Sequence, residues 1–408
     1  MAALRHFGRP PEYVTGKVDG KWQLADGTSL MDLSGGPLVQ SMLNVRHPPH
    51  EVFETIGPPG GIETALREEL EKTILGLAGP RCNGILWATS GSDAVEQALW
   101  VGQQTSSKSS SRQTYIVRQG SYHGSTFLTR WLSTRVGYLG EGPKDLPRIV
   151  FQEESGQDGF AADSADHVIE QLQDLDPESR IILILEPVPT TGRVLWPGIQ
   201  FYGKLLTWAR QRGIFVIMDE VASGVYRHGW FSSFSWDLPT SPDAVVLSKG
   251  LTCGTHPLSC VLLSHEIADK IQKLGNRPPT FTQGLNDAAA WWATECLKQF
   301  ANLVRQGFFA DRRRIMADDL APSLSSLNIP TAIVEFTDTT VRLTLKDQNL
   351  WKSLSRAFRE HSLQTYESTA RFGSDDLYFF LICPAFDMPS AVLKEALADL
   401  VMTARVAL

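Results

Sequence analysis

The sequence predicts an α/β protein that has a large domain and a smaller α+β domain. From about residue 80 onward, short apolar runs rich in valine and isoleucine alternate with amphipathic segments. This alternation is typical of a mostly parallel central sheet with helices on both faces. A chain of 408 residues also exceeds the usual size of a single hydrophobic core, so we expect two domains.

The strands and helices of the large domain are expected in a regular order. The run "NGILWAT" predicts a strand that leads into a helix beginning near Ser92, and the polar stretch from Gln103 to Gln113 predicts an exposed loop. The segment "YGKLLTWARQRG" predicts an amphipathic helix that ends at a glycine. The other predicted strands are "TYIVRQ", "RIILILEPV", "IFVIMDEV", "DAVVLSKG" and "LSCVLLS".

The pattern changes after Asn286, where long helices precede the strands "TAIVEF" and "TVRLTLK", a further helix and "DLYFFLICPAF". This succession predicts an α+β domain, which the N-terminal segment "GKWQLADGTSLMDLS" is expected to join. We therefore expect an N-terminal arm that belongs partly to the small domain (1–45), a large ligand-binding domain (46–285) and a C-terminal small domain (286–408).

The composition and charge of the chain argue against several classes of protein function. The formal net charge of −7 argues against a nucleic-acid partner, which would require a basic surface. No run of eighteen apolar residues predicts a membrane span, and the N-terminus lacks the apolar core of a secretory signal. The five cysteines are scattered and lack metal-ligand spacing, so we expect reduced thiols, no metal site and a cytoplasmic location.

Three predicted strands end at groups that suit a phosphorylated cofactor. Ser90, Gly91 and Ser92 open a helix, whose free N–H groups and positive dipole end favour a phosphate. Asp219 ends one buried strand and Lys249 ends the next. Taken singly, these features also fit a helix cap, a satisfied ion pair and a strand that emerges into solvent. In combination they indicate a ligand site at the carboxyl edge of the sheet.

This combination is what a pyridoxal phosphate site requires. A lysine forms a Schiff base with the cofactor, a carboxylate keeps the pyridine nitrogen protonated, and a helix N-terminus holds the phosphate. Lys249, Asp219 and the segment from Ser90 to Ser92 supply these three groups. We therefore expect pyridoxal 5'-phosphate as the cofactor.

Five segments in this order resemble a known family, the class III pyridoxal-phosphate-dependent aminotransferases of fold type I, of the ornithine and ω-amino-acid type. The resemblance covers most of the chain. It implies a fold type I enzyme, with a large domain on a mostly parallel sheet and a small α+β domain formed by both chain ends. The segments are "WATSGSDAVEQAL", "SYHGST", "VIMDEVASGVYRHG", "LSKGLTCGTHPLSCVL" and "PTFTQGLNDAAAWWA".

The resemblance also implies site residues. Lys249 and Asp219 are the expected catalytic residues, Tyr122 is expected to stack on the cofactor ring, and Val221 is expected to pack on its other face. Thr280 would reach the phosphate of a neighbouring subunit, which implies a homodimer with shared active sites. The residues implied at the cofactor are Ser90, Gly91, Ser92, Tyr122, His123, Glu186, Asp219, Val221, Lys249 and Thr280.

Two of these assignments leave an alternative open. His123 fits a structural hydrogen bond as well as a place in the site. Glu186 matches a family glutamate near the site, with or without direct contact to the cofactor.

The chain departs from the family where many members bind glutamate or 2-oxoglutarate. An arginine that those members carry falls near Leu381, and the acid that masks it falls in "EPVPTTG", where Thr190 and Thr191 stand. The arginine and the acid are expected to be lost together, because either one without the other would leave an unpaired buried charge. Ala222 replaces a frequent glutamine. Arg371, in "TARFGSDDLYFF", is a candidate replacement that binds a substrate carboxylate.

Tyr226 replaces a usual glycine of the family, and Trp230 follows it. Both residues suggest a bulkier rim at the pocket.

The predicted reaction moves an amino group between an amine or ω-amino compound and a keto acid. Two alternatives stay open. An aminomutase, decarboxylase or racemase could use the same scaffold, since the bond held perpendicular to the cofactor ring selects the reaction. A degenerate scaffold protein that only binds the cofactor is the non-enzymatic alternative.

Overall fold

The computed structural model describes most of the chain. The described residues are 14–18, 21–35, 64–106, 108, 111–135, 142–143, 146–152, 163–190, 194, 196–275, 277–281, 284–330, 332–372, 375–386 and 388–408.

The strands and helices follow the predicted order. The strands are β1 (Val14–Val18), β2 (Lys21–Leu24), β3 (Ser29–Asp32), β4 (Cys82–Ala88), β5 (Gln113–Arg118), β6 (Arg148–Phe151), β7 (Arg180–Leu185), β8 (Phe215–Asp219), β9 (Ala244–Leu247), β10 (Ser259–Ser264), β11 (Ile333–Phe336), β12 (Val341–Leu345), β13 (Leu363–Gln364), β14 (Tyr366–Phe372) and β15 (Asp375–Ile382). The α-helices are α1 (Ala65–Ala78), α2 (Gly91–Thr105), α3 (Phe127–Leu132), α4 (Asp163–Gln171), α5 (Ile199–Gln211), α6 (His265–Leu274), α7 (Asp287–Arg305), α8 (Phe308–Arg313), α9 (Ala321–Ser325), α10 (Gln348–Glu360) and α11 (Ser390–Ala407). A π-helix spans Arg314–Leu320, and 3₁₀ turns span Ser233–Ser235 and Lys249–Leu251.

A seven-stranded sheet forms the centre of the molecule. Its strand order is β4-β10-β9-β8-β7-β5-β6, and β10 alone among these seven strands runs antiparallel to its neighbours. Every residue of β5, β8, β9 and β10 is buried. The prediction of a mostly parallel sheet is thus confirmed, and continuous apolar runs such as "AVVL" reflect burial on both faces.

Helix α2 packs closely on this sheet. A Cβ atom added at Gly102 would lie 2.7 Å from Phe215 Cδ1 and 2.9 Å from Ile182 Cδ1. A larger residue at this position would push the helix away from β7 and β8. The glycine therefore fixes the distance between the sheet and a helix whose first residue, Gly91, lies at the candidate site.

The remaining strands form two smaller sheets, of order β1-β2-β3-β13 and β11-β12-β15-β14. Met31 and Leu33 share an apolar core with residues from Ile315 onward, so the N-terminal segment packs with the C-terminal one. Helix α7 instead buries its apolar face in the core of the large sheet. The division at 1–45, 46–285 and 286–408 stays a prediction.

Across the described residues, no helix combines the length and the apolar character that crossing a membrane requires.

Candidate active site

The carboxyl ends of β8 and β9 meet the start of helix α2 around a cavity of about 190 Å³. All of the predicted site residues line it except Ser90, Thr280 and Arg371. The described lining residues are Gly91, Ser92, Tyr122, His123, Gly124, Glu186, Thr190, Asp219, Val221, Ala222, Ser248 and Lys249.

The start of helix α2 forms one end of this cavity. Ser90 is the N-cap: it has an extended backbone, with φ −145° and ψ 158°, and its side chain accepts a hydrogen bond of 3.2 Å from the Asp93 N–H. No helical residue can accept from the N–H groups of Gly91 and Ser92, because the first N–H groups of a helix precede all its partners. These two groups and the helix dipole favour an anion here.

The loop before α3 packs tightly against this helix start. The Ser125 N–H donates to Ser92 Oγ over 3.0 Å. A Cβ at Gly124 would lie 2.5 Å from Thr129 Oγ1 and 2.7 Å from Ser92 Oγ, and the residue has a φ of +137°. Position 124 therefore requires glycine for both reasons.

Asp219 and His123 form a buried pair. His123 Nδ1 lies 2.8 Å from Asp219 Oδ2, and the side chains are 0% and 4% exposed. Because a carboxylate can only accept, Nδ1 carries the proton and donates. The other carboxylate oxygen, Oδ1, accepts from the Val221 N–H at 3.2 Å. His123 Nε2 lines the cavity region without a hydrogen-bond partner, so the residue has a structural hydrogen bond and a place in the site.

Glu186 lies behind the tyrosine segment. Its Oε2 accepts a hydrogen bond of 3.2 Å from the Tyr122 N–H, which ties β7 to the loop after β5. Burial raises the pKa of Glu186, His123 and Arg118 oppose the shift and the nearby Asp219 charge adds to it, and together these effects raise the pKa to about 7. The carboxyl thus changes its charge near neutral pH, next to the cavity.

Lys249 extends β9 by one 3₁₀ turn and has a φ of +40°, which non-glycine residues seldom adopt. Burial lowers the pKa of its ammonium group, while Asp219 and Glu186 act in the opposite direction. A lysine whose pKa is lowered in this way has a larger fraction of neutral, nucleophilic amine. The half-buried side chain lines the cavity, which argues against the alternative of a strand that emerges into solvent.

One wall of the cavity is apolar. Ala222 packs against a buried cluster that includes Phe379, Leu381 and Cys383. Leu381 is buried, at 1% exposure, at the place where the family arginine would stand. Thr190 also lines the cavity, and its buried Oγ1 has no hydrogen-bond partner.

Three predicted site residues lie elsewhere. Ser90 acts on the site as the cap of α2, and Thr280 is solvent-exposed in a loop whose Pro279 carbonyl accepts from Gln97 Nε2 of α2. The backbone of Arg371 pairs with Asp376 in the β14–β15 hairpin, and its side chain is outside the described part of the structure.

The predicted bulky rim is not part of the described lining. Tyr226 keeps a glycine-like φ of +65°, and its ring packs near Phe300 and Phe309. Trp230 lines a different cavity.

Sequence reasoning missed several lining residues. Gly124 stood inside the "SYHGST" motif without a role, and Ser248 directly precedes the lysine. Thr190 and Ala222 were noted only for what they replace. Their place in the motifs was the available signal, since Gly124, Ser248 and Ala222 each flank a predicted residue and Thr190 follows Glu186 by four positions.

The family profile described as "Aminotransferase class-III" matches residues 55–330, which is more than half of the chain. The chain belongs to the class-III aminotransferase family. This membership confirms the predicted family and cofactor class, pyridoxal 5'-phosphate. The residues fit that group, because unpaired helix N–H groups, a buried carboxylate–histidine pair and a partly buried lysine surround one cavity.

Curated relatives of the chain include two from Pseudomonas aeruginosa. The putrescine–pyruvate aminotransferase is 27% identical over 60% of this chain and 55% of its own length. The 5-aminovalerate aminotransferase is 30% identical over 54% of this chain and 50% of its own length. The chain thus spans about half the length of the curated relatives it matches.

Solved structures share the fold over nearly the whole chain. The taurine:2-oxoglutarate aminotransferase from Bifidobacterium kashiwanohense, in complex with the cofactor and glutamate, has a TM-score of 0.79 at 19% identity, covering 99% of this chain and 94% of its own. An amine transaminase from an uncultivated Pseudomonas species also has a TM-score of 0.79, at 20% identity, with 100% and 97% covered. The predicted fold type I architecture is confirmed.

Replacing Ser90 with alanine tests whether the cap of α2 supports cofactor binding. We expect the Ser90→Ala variant to lose about 1 kcal/mol of stability, the usual cost of a lost serine cap. We also expect its dissociation constant for pyridoxal phosphate to rise severalfold, because the helix start loosens. Thermal unfolding and equilibrium binding would measure the two effects.

Ser264→Ala is the matched control, because Ser264 caps α6 through the same type of bond to the Ile267 N–H. This variant should lose similar stability with no change in cofactor affinity. Equal cofactor affinities of the two variants would contradict the role of Ser90.

Proposed function

We propose that this class-III aminotransferase moves an amino group between an amine or ω-amino compound and a keto acid. The observation that carries the proposal is the convergence of Lys249, Asp219 and the start of α2 on one cavity. The fold and the family match support the same reaction.

In this proposal Lys249 would hold the cofactor covalently through Nζ until the amine of the substrate displaces it. The freed Nζ would then move the proton at the reacting carbon of the substrate. When bound, the cofactor supplies an electron sink for the charge that forms at that carbon. Burial favours the neutral amine of Lys249, which is the form that can accept a proton. The N–H groups of Gly91 and Ser92 would hold the phosphate.

Asp219 is the proposed partner of the pyridine nitrogen, and His123 is proposed to position it. The hydrogen bond from His123 Nδ1 fixes the orientation of the carboxylate and stabilises its negative charge. Tyr122 and Val221 both line the cavity, which supports their proposed places on the two faces of the ring.

The proposed amino donor carries its amine at the end of a carbon chain. Putrescine and 5-aminovalerate, named for two relatives, have such terminal amines. The buried Leu381, in the apolar cluster against which Ala222 packs, supports this choice, because it stands where many family members carry an arginine for a substrate carboxylate. We propose Arg371 as the group that binds the carboxylate of the keto acid.

We further propose a homodimer with shared active sites and a cytoplasmic location. The exposure of Thr280, in a loop that is tied to α2, supports a contact with a second subunit. The presence of five buried free cysteines among the described residues supports a reducing compartment.

A half-reaction tests the proposed function. Purified protein with bound cofactor is mixed with putrescine, 5-aminovalerate, L-alanine and L-glutamate while its absorption spectrum is followed. We expect terminal amines to convert the cofactor to its aminated form and pyruvate to reverse the conversion. Lys249→Ala should slow the conversion at least about a thousandfold, since it removes the proton-transfer group.

Two other outcomes would replace the proposal. Carbon dioxide release or isomerisation without amination of the cofactor would indicate a decarboxylase, aminomutase or racemase. Cofactor binding with no spectral response to any amine would indicate a scaffold protein.

Glu186 provides a pH test. Its carboxylate raises the pKa of Lys249, and the pKa of Glu186 itself is about 7. Above pH 7 the Glu186→Gln variant lacks this charge, so the pKa of Lys249 falls and more of its amine is neutral. We expect cofactor to attach to the apoprotein with a pH midpoint lowered by about half a unit or more.

The two proteins should converge below about pH 6, where Glu186 is protonated in the unmodified chain. The control is Asp243→Asn, which removes another buried carboxyl of raised pKa, about 6, at the opposite end of β9. Its midpoint should match that of the unmodified chain, and an equal shift in both variants would rule out a local effect of Glu186.

Arg371→Ala tests the proposed carboxylate group. We expect the KM for pyruvate to rise about tenfold or more, because a charge-assisted hydrogen bond is lost. The KM for putrescine, which has no carboxylate, is the internal control and should stay unchanged. An unchanged KM for keto acids would show that Arg371 does not bind their carboxylate.

A further inference from the structure

A second cavity, of about 580 Å³, lies outside the active site. The lining residues described for it include none of those that line the active-site cavity. Its size falls in the range of sites that hold small organic molecules. Three tryptophans form much of its wall: Trp196, Trp230 and Trp236.

The three indole rings pack as one unit. Their centroids are 4.9 Å apart for Trp196 and Trp230, 5.0 Å for Trp196 and Trp236, and 5.4 Å for Trp230 and Trp236. Trp230 is anchored further, since its Nε1 donates to Glu220 Oε2 over 3.0 Å. The three indoles therefore form one pre-formed aromatic part of the cavity wall.

A carboxylate lies at the same cavity. Asp338 Oδ1 accepts from Arg313 Nη1 at 2.9 Å, whereas Oδ2 is 3.8 Å from the place that a Cβ of Gly229 would occupy. The glycine leaves the space beside Oδ2 open. Burial raises the pKa of Asp338 although Arg313 opposes the shift, so the arginine only partly offsets the cost of burying this charge.

The charges favour a cation over an anion. The Arg313 side chain is 62% exposed and thus largely hydrated, while the Asp338 side chain is 35% exposed. Indole faces attract cations, and this attraction strengthens when the cation loses its water. An anion would meet the negative ring faces and the more buried carboxylate.

We propose that this cavity binds an organic ammonium ion with an apolar body, at a site separate from the one where amino transfer takes place. The ammonium group lies at Asp338, and the apolar body lies on the indole wall. The proposal is independent of the reaction that the enzyme catalyses.

Calorimetry with benzyltrimethylammonium as the probe tests the proposal on the holoenzyme. This ion has no N–H and therefore cannot act as an amino donor. We expect Asp338→Asn to raise its dissociation constant at least tenfold. Asp176→Asn is the matched control, because Asp176 pairs with Arg112 at 2.8 Å with similar exposure, 39% and 67%, and should leave the binding unchanged.

Arg313→Gln gives a second test of opposite sign. Removing the guanidinium that competes for Asp338 lets the carboxylate interact with the probe alone. The dissociation constant of the probe should therefore fall about threefold or more. A purely structural role of the ion pair would not tighten binding. Three outcomes would overturn the proposal: no binding at millimolar probe, equal binding in Asp338→Asn, or equally tight binding of benzyl alcohol, which keeps the ring and lacks the charge.

Discussion

The parallel alignment of β8 and β9 is the constraint on which the site depends. Hydrogen-bonded pairing sets Asp219 opposite Val246, so the carboxylate and Lys249 emerge at the same edge of a sheet that is buried on both faces. Neither charge is fully hydrated there. The aspartate is stabilised by His123 and by the Val221 N–H. Burial lowers the pKa of the lysine although Asp219 and Glu186 oppose the shift, so a larger fraction of its amine is neutral.

The remaining parts of the site depend on close packing around that edge. Helix α2 can bring its N–H groups to the cavity because Gly102 lets it lie against β7 and β8. Gly124 lets the next loop approach Ser92. The two glycines thus set the distances between helix α2, the sheet and the loop before α3. These distances determine where the charged residues of the site lie relative to one another.

Much of this arrangement could be predicted from the sequence. Buried parallel strands are visible in the sequence as unbroken apolar runs, and the polar residues that follow them form recognisable motifs. The positions of Asp219 and Lys249 at strand ends could therefore be predicted. The pairing of His123 with Asp219 was not, because it joins residues 96 positions apart through tertiary packing. The positions of the Tyr226 and Trp230 side chains could not be predicted either. The direction of a side chain depends on the local backbone, and the backbone at Tyr226 is left-handed.

The most direct test of the central claim is to locate the cofactor on the chain. Borohydride treatment of the holoprotein fixes pyridoxal phosphate to the amine that holds it, and peptide mass spectrometry then identifies the residue. The account predicts a single phosphopyridoxyl group on Lys249. A modified lysine elsewhere, or a borohydride-treated holoprotein that still releases all of its cofactor on unfolding, would contradict it.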